Sequence, residues 1–517
     1  MTATAAPKKA QEEEDEEGGL PPRQRILVAL AILPAGSMQG MDTFATGVAI
    51  PRMMGSFSVT LVEISWVLTS YLVASAMFTP FYAWLSRKVG CKNLFIAVTA
   101  GFIAVSIMVS QSSTLMEVVF FRFLQGAFGA GFNPLTIQII LAAFPRSRHG
   151  IAFGWLQMGR NSSIVIGPIV GGILTEYFDW RVIYLINVPI GLLGLFLILR
   201  ILPKDKKQEP KAFDFFGFVV LSIALCATQL LLSQGGKLDW FNSQIIIIYA
   251  FFAAAFSYVF VFHAVTARQP YLNLRVFKNR EFLIGMILVV FTQFMIYGYV
   301  GLLPPILQDQ LGLPVIEAGI IIAYRGIGSM CASFIAGMLV MRYSPKYLIF
   351  VGLCGIAFST WSLSQLSPDV HTVPIIIAIF LQGFGLGFVK TPILAITFST
   401  LSSSLRPDGT SILSTAQRIA SGIGISVLIA LLVRSTQSAR STLSQNVSEY
   451  NERFQHFTLP DKWNMDSLPG MMALDRLIDK QAEFMAYIID FQLMTMVTLM
   501  MLPLLFFIRL DGQKKSF

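Results

Sequence analysis

Long apolar stretches alternate with short polar connectors along the whole chain. Fourteen stretches have the length and composition of membrane spans: 26–50, 62–82, 93–111, 117–143, 149–174, 181–201, 213–233, 244–265, 282–303, 316–341, 347–366, 372–400, 409–433 and 484–508. A helix of about 20 mostly apolar residues crosses a hydrocarbon core of about 30 Å. Its backbone polar groups are satisfied within the helix, as lipid requires. The pattern therefore predicts an all-α polytopic membrane protein with fourteen transmembrane helices.

The second half of the chain echoes the first. FLQGAFGAGFNPLTI (Phe123–Ile137) returns as FLQGFGLGFVKTPILAI (Phe380–Ile396), and AWLSRKVGCK (Ala83–Lys92) returns as GMLVMRYSPK (Gly337–Lys346). GRNSSIVIG (Gly159–Gly167) has a fainter echo in QRIASGIGI (Gln417–Ile425), which sets Arg160 on Arg418. Pairing the repeats puts spans 1–6 in one bundle and spans 9–14 in another, with spans 7 and 8 as an inserted pair. The predicted divisions are an acidic cytoplasmic tail 1–25, an N-terminal six-helix bundle 26–201, an inserted pair with basic loops 202–281, a C-terminal six-helix bundle 282–510 and a cytoplasmic tail 511–517. The C-terminal bundle includes a polar external loop, 434–483, expected to form a solvated, partly helical cap. Same-direction repeats of several helices build one large class of transporter, with the substrate site between the halves.

Composition agrees with the bilayer: 55% of residues are hydrophobic and 13% charged, with a mean hydropathy of +0.66. The net charge of +9 is explained by position rather than by a nucleic-acid partner. With both termini inside, about two dozen Lys and Arg fall in cytoplasmic loops and tails and about three in short external loops. Arg200, Lys204, Lys206, Lys207 and Lys211 share one internal loop; Arg268, Arg275, Lys278 and Arg280 share the next. Cys91, Cys226, Cys331 and Cys354 are scattered, without disulfide or metal-ligand spacing. His149, His263, His371 and His456 lie far apart, and no nucleotide loop, catalytic triad or haem ligand pair is present, so neither an enzyme nor a cofactor is expected.

Six further segments carry a family resemblance. MDTFATGVAIP (Met41–Pro51), ISWVLTSYLVA (Ile64–Ala74), AWLSRKVG (Ala83–Gly90), FRFLQGAFGAG (Phe121–Gly131), GPIVGG (Gly167–Gly172) and WRVIYLINVPIG (Trp180–Gly191) stand in order along the chain. Together they resemble the fourteen-helix drug:proton antiporter branch of the major facilitator superfamily, typified by EmrB-like multidrug exporters. The resemblance covers roughly residues 26–510. It implies the major facilitator fold, proton-driven export of hydrophobic or amphipathic molecules by alternating access, and a place in the inner membrane. It also implies a periplasmic adaptor and an outer-membrane channel as partners. A secondary uptake carrier or uniporter for one metabolite is the alternative. The chain departs from the pattern at Ala83 and Arg87, which replace the Gly and Asp of the loop motif, and at Gly47 and Lys390.

Ionisable groups at bilayer depth are functional candidates by default. Asp42 lies about 17 residues past the inner end of span 1, or ~25 Å up at about 1.5 Å per residue, and Arg122 about 22 residues from the inner end of span 4, or ~33 Å up, which puts the two within reach if these spans are neighbours. Burial would raise the acid's proton affinity and a guanidinium would lower it, so the pair is the expected proton-coupling site. Gln39, Gln125, Gln293, Tyr297, Arg325 and Lys390 are the expected substrate cavity; Arg325 and Lys390 there would favour anions. The symmetric Arg160 and Arg418 are expected to bind carbonyls or lipid phosphate near the cytoplasmic mouth. In span 5, Gly159, Ser163, Gly167 and Gly171 recur four apart beside Pro168 and Gly172, and Gly328, Ala332 and Ala336 do so in span 10. Small residues on one face let membrane helices approach closely, and these two faces are expected to seal or pivot one half on the other.

Overall fold

The computed structural model describes residues 20–59, 61–145, 148–203, 213–236, 238–268, 270–367, 371–402, 405–447 and 467–507. Most of the acidic tail, the lysines of 204–211 and residues 511–517 lie outside them. The regular structure is helical. The N-terminal bundle holds α1 (Pro22–Phe57), α2 (Trp66–Phe78), α3 (Cys91–Ser110), α4 (Leu115–Gly129, continued by Phe132–Ala143), α5 (His149–Tyr177) and α6 (Asn187–Ile201, after a turn at Val182–Leu185). The inserted pair is α7 (Phe215–Gln234) and α8 (Gln244–Thr266). The C-terminal bundle holds α9 (Arg280–Pro305), α10 (Val315–Leu339), α11 (Pro345–Leu363), α12 (Thr372–Ser399), α13 (Arg406–Asn446) and α14 (Leu468–Met500).

Among the described residues, 12 helices are long and apolar enough to cross a membrane. The two that fall short are instructive. The α2 helix has 13 residues, and α5 carries Arg160, Asn161, Ser162 and Ser163 in its middle. That polarity reflects its neighbours, because α5 packs against α1 on one side and α10 on the other.

Several ends follow directly from local chemistry. Thr114 and Glu117 form a reciprocal capping box at the start of α4, which supplies partners for orphan amides. Asp214 and Asn279 cap α7 and α9 through Gly217 N and Phe282 N. The segment AWLSRKVG, expected as a loop, is instead the short helix Phe81–Val89. It stops at Gly90, whose φ of 91° suits glycine.

Packing repeats between the halves. The α1–α5 contact recurs as α9–α13, α2–α4 as α10–α12, and α3–α4 as α11–α12. The α7 helix packs against α2, and Ser426 of α13 donates a 2.6 Å hydrogen bond to Leu232 O of α7. So α7 bridges the bundles on one flank, while α8 packs mainly on α7 and leaves most of its surface to lipid.

One expectation is corrected, the role of the four-apart stripe of α5. A Cβ on Gly167 or Gly171 would meet Phe44, Met41 or Ala45 of α1, and Ser163 faces Gly40. The stripe therefore serves packing inside the N-terminal bundle, as Gly328 does against Phe380 and Phe384 of α12. The other half is met by a different face of α5: Gly150 and Gly154 lie against Gly337, Val340 and Ser333 O of α10. At about 100° per residue, position 150 lies half a turn from position 159. A period reveals a face but not its partner.

The segment 434–483, expected to be partly helical, begins and ends in helix, since α13 continues to Asn446 and α14 starts at Leu468. Arg440 joins the two extensions, bonding Asp475 at 2.9 Å and Asp479 at 3.0 Å. Outside lipid a helix needs no apolar run, so a hydropathy reading ends too early. Residues 448–466 lie outside the described ones.

Candidate functional site

Five helices converge on Asp42 near the middle of the N-terminal bundle. Arg122 Nη1 donates to Asp42 Oδ2 at 2.5 Å, and both side chains are wholly buried. Asn187 Nδ2 and Gln125 Nε2 donate to the other oxygen, Oδ1, at 2.9 and 3.1 Å. Both amides also donate to Ser106 Oγ. Arg122 in turn donates Nε to Val67 O, donates Nη1 to Gln125 Oε1, and lies 4.5 Å from the centre of the Tyr71 ring. Thr46 of α1 donates to Tyr184 Oη on the flank of the cluster.

This arrangement satisfies a charge that lipid cannot. An unpaired ion at this depth costs several kcal/mol, and only good geometry with extra hydrogen bonds offsets that. Both carboxylate oxygens have charge-assisted or amide donors here. Asp42 is 1% exposed, so proton exchange with water requires a different arrangement of the same helices. Asn187, Ser106 and Tyr71 escape the sequence reading as ligands of this cluster. The signal for Asn187 is an amide within the apolar run YLINVPIG.

The C-terminal bundle repeats part of this design without the acid. Gln382 stands at the repeat position of Gln125 and accepts from Arg325 Nε at 2.7 Å. Arg325 Nη2 donates to Ile296 O, and the guanidinium lies 4.9 Å from the Tyr299 ring centre. Arg325 is thus held inside its own bundle. Among the residues expected to form the substrate cavity, Gln293 and Lys390 line the space where the halves meet, together with Arg160, Gln157, Val289, Thr292, Ile393, Leu394 and Gln417. Gln125 and Arg325 belong to the two bundle interiors; Gln39 and Tyr297 are half-buried, Gln39 beside Tyr71 and Tyr297 near Arg160 and Arg418.

Below the cavity, toward the face where α1 begins, the halves are joined by hydrogen bonds. Arg87 Nη1 meets Asp408 Oδ2 at 2.9 Å, with both side chains largely buried. Gln138 donates to Thr410 Oγ1, Arg406 to Leu141 O, and Asn133 Nδ2 to both Ser414 Oγ and Gln417 Oε1. Arg418 donates Nε to Thr79 Oγ1 at 2.9 Å, and within the N-terminal half Arg160 donates to Asn133 Oδ1 at 2.6 Å. Both arginines therefore bond side-chain oxygens rather than the backbone carbonyls expected. Higher up, Asn161 of α5 donates to Ser329 Oγ of α10.

The sequence reading also passes over Asp490 in α14. It is 1% exposed, and neither of its oxygens has a hydrogen-bond donor among the described residues. A lone acid in the apolar run YIIDFQ was the available signal.

Two repeated helical bundles, ionisable groups at bilayer depth and a cavity where the halves meet define the architecture of a secondary transporter. The chain belongs to the Major Facilitator Superfamily, whose profile matches residues 32–425. It is 28% identical to the multidrug export protein EmrB of Escherichia coli (strain K12), over 84% of this chain and 85% of that protein. It is 29% identical to the probable multidrug resistance protein EmrY of the same strain, over 86% and 87% of the two chains. Its fold is similar to that of the proton:xylose symporter XylE, with a TM-score of 0.60 and 14% identity over 93% of this chain and 96% of that one.

Proposed function

We propose that this chain is a proton-coupled antiporter that exports hydrophobic or amphipathic small molecules by alternating access. The observation that carries the coupling is the Asp42 cluster: one carboxylate bonded by groups from α4 and α6 and braced through α2 and α3. Protonating that acid weakens its hold on Arg122, so its charge state and the packing of these helices are linked. Similarity to proteins named for multidrug export supports the direction and the breadth of substrate.

In this reading all of α1–α14 cross the cytoplasmic membrane, and both termini lie inside, as the distribution of basic residues favours. The hydrogen-bonded face is then the cytoplasmic one, and the arrangement described here is closed on that side. No cofactor is needed, since the gradient is the driving force. A periplasmic adaptor, with an outer-membrane channel beyond it, would dock on segment 434–483. Deleting that segment is expected to abolish co-purification of an adaptor, and unchanged co-purification would remove the assignment.

The decisive assay uses proteoliposomes with an imposed pH gradient. A hydrophobic dye should move against the proton flow and stop when an ionophore collapses the gradient. Movement with the protons, or indifference to them, would instead select the uptake carrier or uniporter.

A further inference from the structure

The cavity between the bundles contains an imbalance that the architecture alone does not require. Two cationic side chains, Lys390 of α12 and Arg160 of α5, line it. Neither lies within ion-pair distance of a carboxylate among the described residues. Lys390 Nζ has no hydrogen-bond acceptor there either, and Arg160 has the single neutral partner Asn133. The repeat shows that the charge is specific to one half. FGAGF (Phe128–Phe132) returns as FGLGF (Phe384–Phe388), which brings Lys390 within one residue of the repeat position of Asn133, where the first half has no cation. Asn133 is fully engaged, accepting from Arg160 and donating to Ser414 and Gln417. Lys390 has no such partners.

The rest of the lining fits the same ligand. Gln157 and Gln293 are buried, and their Oε1 atoms have no donor among the described residues. Turning either amide over would offer an N–H to an anion without moving the helix. Val289, Ile393 and Leu394 supply apolar wall. Arg325, the other cation expected here, is occupied by Gln382 and Ile296 O.

We propose that this cavity is a binding site for amphipathic monoanions, whose carboxylate sits between Lys390 and Arg160 while the hydrocarbon lies against Val289, Ile393 and Leu394. A ligand cation there would face two like charges. A neutral ligand would leave both cations buried without a counter-ion, which is costly. Arginine offers a planar fork to a carboxylate and lysine a point charge, so one head group can engage both. The proposal deepens the export reading by naming its substrate class.

The test is equilibrium binding to purified full-length protein in zwitterionic lipid nanodiscs, with no pH gradient. The probes are radiolabelled decanoate and decyltrimethylammonium. Lys390→Met is expected to weaken decanoate binding by about tenfold or more, the scale of one lost charge-assisted hydrogen bond. It should leave decyltrimethylammonium unchanged or bound more tightly. Lys390→Arg should retain decanoate binding, which separates loss of charge from misfolding, and Arg160→Gln should behave as Lys390→Met does. Equal effects on both probes, no effect on either, or failure of the wild type to bind decanoate would overturn the proposal. Binding without gradient-driven movement in proteoliposomes would instead sink the export reading and leave the site standing.

Discussion

Asp42→Asn is expected to abolish gradient-driven accumulation of substrate while substrate–substrate exchange across the membrane continues. The expectation follows from what the substitution removes. Asparagine keeps the size of the side chain and can still bond Gln125 and Asn187, but it carries no proton to exchange. The pair it breaks is wholly buried. Removing one member of such a pair leaves the other charge uncompensated, at a cost of about 3–5 kcal/mol. Arg122 has only partial compensation from Gln125, Val67 O and the Tyr71 ring. The single variants Asp42→Asn and Arg122→Gln should therefore both lose thermal stability in detergent. The double variant should recover most of that loss, because no lone charge remains. If the double variant is as unstable as the two losses added together, the residues do not act as one ion pair. If Asp42→Asn still accumulates substrate against its gradient, the coupling site is elsewhere, and Asp490 is the first place to look.

The ease of reading this chain differs from feature to feature for physical reasons. The helices were legible because lipid permits few alternatives: an apolar run of sufficient length must be a helix. Asp42 and Arg122 stood out because a charge within such a run is costly and demands a reason. Asn187 and Ser106 did not, since neutral polar side chains are common in membrane helices and carry no label of what they bind. The glycine stripe of α5 showed correctly that something lies close. Whether that was α1 or α10 depended on rotation about the helix axis, which four-residue spacing does not specify. Lys390 was visible as an oddity; its orientation toward the cavity, and the inward one of Arg325, are tertiary facts.

The Arg87–Asp408 pair was the least legible feature, because its partners are 321 residues apart. From the sequence, Arg87 is a departure from the loop motif, since it stands where the family pattern has an acid. The structure pairs it with an acid on α13, the cation in the N-terminal bundle and the acid in the C-terminal one. Each charge also suits its helix end. Asp408 lies in the first turn of α13 and Arg87 in the last turn of the short helix Phe81–Val89, as the helix dipoles favour. Arg87→Asp should therefore oppose two acids at the seal and destabilise the closed face by several kcal/mol. A change of about 3–5 kcal/mol is a shift of roughly two to four orders of magnitude in population. A thiol placed by Ser411→Cys, at a site now 0% exposed, should become reactive from the face where α1 begins. The swapped variant Arg87→Asp/Asp408→Arg should restore protection only in part, because an arginine at position 408 opposes the dipole of α13 by roughly 0.3–1 kcal/mol. Full protection in the Arg87→Asp single variant would show that the other hydrogen bonds, from Gln138, Asn133 and Arg418, hold this face closed without the ion pair.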